Sequence, residues 1–162
     1  MPLIRYCKIA MVLGLSAFCF LVAFSNITDY NSNFEFVKHV LSMDTTFPGN
    51  AAMYRSITSP TLWTIGYWGI IAGEGLTCIL LAWGALRMFG KVGAPPAEFD
   101  QSKEITIVGV TLGFLVWFVG FMVVGGEWFL MWQSQWNGQT AAFQFYMSML
   151  AVLIFVNQPE RD

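Results

Sequence analysis

Glu74 stands near the middle of the second long apolar run, in IIAGEGLTC. An ionised carboxylate in hydrocarbon costs several kcal/mol unless it is paired, hydrated or protonated, and carboxyls kept at such depth bind or relay protons and cations. Gly73 and Gly75 flank it, which would let a helix or a ligand approach the backbone beside the carboxyl group. The plainer alternative is a neutral Glu74 hydrogen-bonded to a neighbouring span, where it fixes packing. A second acid, Glu127, follows Gly125-Gly126 in GGEWFLMWQSQWNGQ, where Trp128, Trp132 and Trp136 recur every fourth residue, with Asn137 next to the last. On a helix these tryptophans would form one stripe. Glu127, Trp128 and Trp132 would then wall and anchor an outer pocket suited to a quinone ring, a lipid head group or a cation. The alternative is an interfacial aromatic belt with a snorkelling acid.

His39 is the one histidine, with Glu35 four residues before it and Asp44 five after it. Glu35, His39, Asp44 and Glu127 are the candidate metal ligands, but their spacing matches no metal motif and they would have to converge in space. A single histidine excludes a bis-His haem within the chain; nine methionines leave a His/Met haem open on paper, although Met more often fills gaps in cores. Cys7, Cys19 and Cys78 share no CxxC spacing and read as packing residues. No GxSxG, HExxH, P-loop or dinucleotide fingerprint occurs, so the expectation is a protein that is not an enzyme. The cofactor is left open, with bound lipid or quinone as the options.

The elements that must hold these residues are membrane spans. Of the 162 residues 56% are hydrophobic and 11% charged, against about 25% charged in soluble domains, so the surrounding solvent is mostly bilayer. A net charge of −2 offers no footprint for nucleic acid. Apolar runs predict spans at about 9–25, 62–86, 105–125 and 141–156, and hence a single membrane domain: an all-α, four-helix antiparallel bundle. The first run follows Arg5 and Lys8 like a signal peptide, but no small-x-small cleavage signal closes it, and it is read as a retained span. Gly14, Gly69, Gly73, Gly109, Gly113 and Gly120 are expected to allow close helix contacts. Arg5, Lys8, Arg87, Lys91, Lys103 and Arg161 fall on one side and Lys38 and Arg55 on the other, which predicts that both termini are cytoplasmic. Residues 90–103 (GKVGAPPAEFDQSK) read as a plain linker. Residues 34–46 read as a short amphipathic helix in the first outer loop, with Asn33 as N-cap and Pro48-Gly49 as the stop. No internal repeat of the kind common in secondary transporters is visible.

Three strings carry a resemblance: NITDYNSNFEFVKHVLSMDTTFP (26–48), YWGIIAGEGLTC (67–78) and GGEWFLMWQSQWNGQTAAFQF (125–145). With them the chain resembles, over nearly its whole length, the bacterial DUF2165 family of predicted small integral membrane proteins. The resemblance implies a four-span bacterial inner-membrane protein. The positions it marks, Asn26, Asp29, Asn33, His39, Asp44, Glu127, Trp128 and Asn137, lie mostly on the outer side, so function is expected to face outward, with Glu74 as the intramembrane element. The leading expectation is a non-catalytic accessory subunit of a larger membrane complex, respiratory or a periplasm-facing oxidoreductase, whose partners are the bilayer and other membrane-protein subunits. Two other classes stand beside it. One is a small homo-oligomeric proton- or cation-coupled transporter using Glu74; the other is a quinone-, lipid- or metal-binding protein using the Glu127/Trp128/Trp132 pocket.

Overall fold

The computed structural model describes residues 2–160. Arg161, counted above among the cations, lies outside the described residues. Among the described residues every regular element is helical, as backbone satisfaction in lipid requires of any span that is not a closed barrel. Four stretches are long and apolar enough to cross a membrane: Leu3–Thr28, Pro60–Gly90, Pro96–Trp128 and Gln139–Val156. The first helix, α1 (Pro2–Thr28), runs almost directly into α2 (Tyr30–Ser42), and α3 (Pro60–Gly90) follows a loop with one short 3₁₀ turn. After α4 (Pro96–Ser102) comes α5 (Glu104–Phe114), continued by a π-helical segment, Leu115–Trp128; α6 (Gln139–Val156) closes the bundle.

Contacts between positions far apart in sequence set the topology. Arg5 near the start of α1 reaches the carbonyls of Val92 and Ala94 beyond the end of α3, while Asn26 near the end of α1 meets Glu74 and Tyr67. These helices are therefore antiparallel. Gly84 against Thr106 and Gly73 against Val116 make α3 antiparallel to the third span, and Gly113 against Met149 with Gly126 against Gln139 do the same for the third and fourth. One end of the bundle, the terminal end, thus gathers residues near both chain ends with α4; the other, the loop end, carries α2 and the two longer connections.

The helices bury narrow stripes. On α3 the buried positions are Tyr67, Ile71, Glu74, Thr77, Leu81, Gly84, Ala85 and Met88, a spacing near 3.5 residues that keeps one seam facing its partners. The outward positions, among them Ile65, Ile79, Trp83 and Leu86, are large, apolar and exposed, which suits lipid. Of the glycines expected to permit close approach, Gly73, Gly109 and Gly113 do lie under neighbouring side chains, whereas Gly14, Gly69 and Gly120 face open space. The tightest approach is one not anticipated: a Cβ on Gly84 would stand 2.8 Å from the backbone nitrogen of Thr106.

Three local expectations need correction. The helix after α1 begins at Tyr30 with Asp29 as its N-cap, not at Asn33, and it ends at Ser42 where Met43 turns left-handed (φ 55°), before Pro48 is reached. Tyr30 and Phe34 stack on each other and meet Tyr67 edge-on, so aromatic packing against α3 holds the early first turn. Residues 90–103 are no plain linker, because α4 forms there and buries Phe99 completely. The third span does not stay α-helical to its end, and the last stretch of its backbone pairs five residues apart, as in Phe129 N–H to Val124 C=O.

Candidate functional site

Glu74 is 1% exposed and faces the interior from the α3 seam. The side-chain amide of Asn26 donates to Glu74 Oε2 at 2.7 Å, and the Tyr67 hydroxyl, two turns before Glu74 on the same face, donates to the Asn26 carbonyl at 2.7 Å. Tyr67 thus secures the end of α1, and α1 aims the amide at the carboxyl group. Among the described residues no lysine, arginine or histidine pairs with Glu74. A cavity of about 200 Å³ opens beside it, lined by Glu74, Asn26 and Asn33 together with the rings of Tyr67, Trp117 and Phe145. A second cavity of about 200 Å³, almost wholly apolar, adjoins it between α2, α3 and the π-helical segment. The two share Phe36, Val37, Ile70 and Phe121 as walls, and the Phe36 and Phe121 rings lie stacked 6.1 Å apart. Such a site offers one carboxyl group and two amides, with no lysine, arginine or histidine in its lining to hold an anion.

The remaining marked residues are dispersed at the loop end. Asp29 Oδ1 accepts from Ser32 and the Asp29 carbonyl from Asn33, which ties the α1–α2 corner. Asn137 Oδ1 accepts the Gln139 N–H in the turn that opens α6. His39 Nδ1 lies 2.9 Å from both Asp44 carboxylate oxygens, His39 Nε2 lies 3.5 Å from Glu35, and its ring stacks on Trp136 with centroids 4.7 Å apart. The structure brings Glu35, His39 and Asp44 into this chain of contacts, but among the described residues no three metal-ligating side chains form a group that could hold an ion, and Glu127 is not drawn in.

The tryptophan stripe is not realised, because the helix stops at Trp128 and Leu130 turns left-handed (φ 53°). Trp128 and Trp132 are exposed, with Arg55 over the Trp128 ring at 4.8 Å and Phe47 against Trp132. Neither cavity beside Glu74 takes a wall from Glu127, Trp128 or Trp132. Trp136 turns inward, and its indole N–H is the one occluded side-chain polar atom left without a partner among the described residues.

A charged cluster at the terminal end escaped sequence reasoning. Glu160 lies 3.1 Å from Arg5, 2.6 Å from Lys8 and 3.5 Å from Lys103, all nearly buried, while Lys103 also meets Asp100. Lys8 and Lys103 both donate to the Gln158 carbonyl, and Arg5 caps the Phe99 ring. Burial pushes the Glu160 carboxyl up, but hydrogen bonds from Lys8 and Arg5 outweigh it and hold Glu160 below its usual range. The same cations that read as topology signals are thus also structural, and nothing in their spacing announced the tail as their partner. Tyr67 escaped too, although its position two helical turns from Glu74 was a usable signal.

A family model described as a predicted small integral membrane protein (DUF2165) matches residues 4–159. The chain belongs to the DUF2165 family. No curated protein and no solved structure matches it. The match runs the length of the bundle, so the Glu74 cavity lies in the part of this DUF2165 protein that the family model covers, as do Arg5, Lys8 and Lys103 of the terminal cluster, while Glu160 falls one residue beyond it.

Proposed function

We propose that this DUF2165 protein is a small, non-enzymatic carrier that moves a cation across the membrane, with Glu74 exchanging between its proton and the cation. The observation that carries the reading is a carboxyl group buried at mid-span, held by one amide, facing a cavity and lacking a resident positive charge. The fold supplies Glu74 with a single donor, which leaves further acceptor capacity on the carboxyl group for a ligand in the cavity beside it. Four spans are few for a pathway through one chain, so the working form is a homo-oligomer. Its setting is a bacterial inner membrane with both termini in the cytoplasm; Arg5, Lys8, Arg87, Lys91 and Lys103 at the terminal end against Lys38 and Arg55 at the loop end support that orientation. The test is reconstitution in liposomes holding a pH-sensitive dye. Proton flux driven by an opposing cation gradient is expected with the wild-type protein and is abolished by Glu74→Gln, and flux that survives the substitution removes the proposal.

One observation favours a second reading. Phe47, Tyr54, Trp128 and Trp132 are all exposed at the loop end, a surface on which a larger membrane complex would find the aromatic anchors that interface cores use. In that case the chain is an accessory subunit. Mild extraction from native membranes, a native gel and mass spectrometry of the band would reveal larger co-migrating subunits, or a small oligomer of this chain alone.

A further inference from the structure

The lining of the Glu74 cavity bears on whether a metal ion or an organic cation would suit it. A dehydrated metal ion asks for several oxygen ligands, six to eight in the case of calcium, and the Glu74 cavity offers one carboxylate and two asparagine amides. Five aromatic residues share the rest of its wall with small and aliphatic ones such as Val22, Ile70 and Ala142: Trp117 and Phe145 meet edge to face with centroids 5.8 Å apart, and Phe36, Tyr67 and Phe121 also line it. Ring faces attract diffuse positive charge, most strongly away from water. A carboxylate among aromatic rings is therefore matched to an ammonium whose charge is spread over carbon-bound substituents. No lysine or arginine lines either cavity to compete for the carboxyl group. The apolar cavity next door has no ionisable group in its lining and shares the Phe36 and Phe121 rings with the first as walls.

We propose that the paired cavities bind lipophilic organic cations, quaternary ammonium or protonated amine, with the charged head at Glu74 among the aromatic rings and the apolar substituent beyond Phe36 and Phe121. This rests on the reading of Glu74 as a cation site and names its ligand class. Size agrees, since a cavity of about 150 Å³ suffices for benzene and each of these measures about 200 Å³. The head and one ring of such a cation thus match the two chambers. Binding is a salt contact with cation–π support and forms no covalent bond.

The experiment uses the full chain in detergent and the probe benzyltrimethylammonium, with neopentylbenzene as the neutral molecule of the same shape, both measured by calorimetry and by tryptophan fluorescence. The charged probe is expected to bind at least tenfold tighter than its neutral counterpart. Glu74→Gln is expected to erase that preference. Trp117→Leu is expected to weaken the charged probe on the order of tenfold while sparing the neutral one; should Trp117→Leu fail to fold, Phe121→Leu gives the same comparison from a half-buried position. Equal binding of the two probes overturns the proposal in favour of a neutral lipid or quinone ligand, and so does a preference that survives Glu74→Gln. If neither probe binds but wild-type liposomes still show proton flux that depends on Glu74, the organic-cation assignment falls and the carrier reading stands. Loss of both takes the carrier reading with it.

Discussion

At the scale of single residues, the Asn26–Glu74–Tyr67 arrangement separates what holds the fold from what the site does. Tyr67→Phe deletes one hydroxyl and its bond to the Asn26 carbonyl, a loss of about 1 kcal/mol. Asn26→Leu strips Glu74 of the one donor the fold gives it and is expected to cost about 1–3 kcal/mol. Thermal unfolding of the two variants in the same detergent should therefore rank Asn26→Leu below Tyr67→Phe. Glu160 behaves differently because its partners are cations. Its folded carboxyl titrates below the ordinary value of 4.5, so the stability it contributes is complete above that value and lost as pH falls through the lower folded value. Glu160→Gln is expected to destabilise the protein at neutral pH by on the order of 3 kcal/mol, as removal of one partner from a buried ion pair does. The gap to wild type should close as the pH drops below about 4.5, which denaturation curves across that range would reveal.

At the scale of helices, the glycines divide into two kinds that the sequence did not separate. Gly84 sits where a Cβ would press on the Thr106 backbone, and Gly84→Ala is expected to cost about 1–3 kcal/mol as the third span is pushed away. Gly14 has nothing within 4 Å, so Gly14→Ala should be neutral or raise stability by up to about 1 kcal/mol through helix propensity. A melting comparison of these two single-methyl additions tests the packing directly. The four apolar helices were legible because hydrophobic runs of about 16–25 residues match the width of a bilayer. Glu74 was legible because charge is so costly at that depth. The limits of α2 were not, since they depend on Tyr30 and Phe34 finding Tyr67 across a gap of more than thirty positions. The supposed tryptophan stripe failed for a related reason: a period of four describes a helix only while the helix lasts, and the left-handed turn at Leu130 is set by Phe129 and Met131 packing against Val40 and Met43. Asn26 was assigned to an outer polar cluster because it opens a run of polar residues, yet α1 extends past it and carries it inward to Glu74.

At the scale of the whole molecule, the two ends of the bundle are built on opposite electrostatic plans. The terminal end concentrates cations and satisfies them with Glu160, Asp100 and backbone carbonyls; the cavities beyond Glu74 hold none. A reporter fused after Glu160 is expected to show that terminus in the cytoplasm, and the same reporter placed in the α2–α3 loop to show the other side, which checks the orientation given by Lys and Arg. The clasp between Arg5 and Glu160 spans 155 positions. At roughly 5–20 residues per second of synthesis, Arg5 and Lys8 are made on the order of ten seconds before their carboxylate partner. A newborn chain therefore passes through a stage in which three spans can pair while the tail that closes them is still in the ribosome. A stop codon between the fourth span and Glu160 would leave the clasp permanently open, and such chains, inserted yet unclasped, would be natural targets for membrane-embedded proteases that survey unfinished bundles.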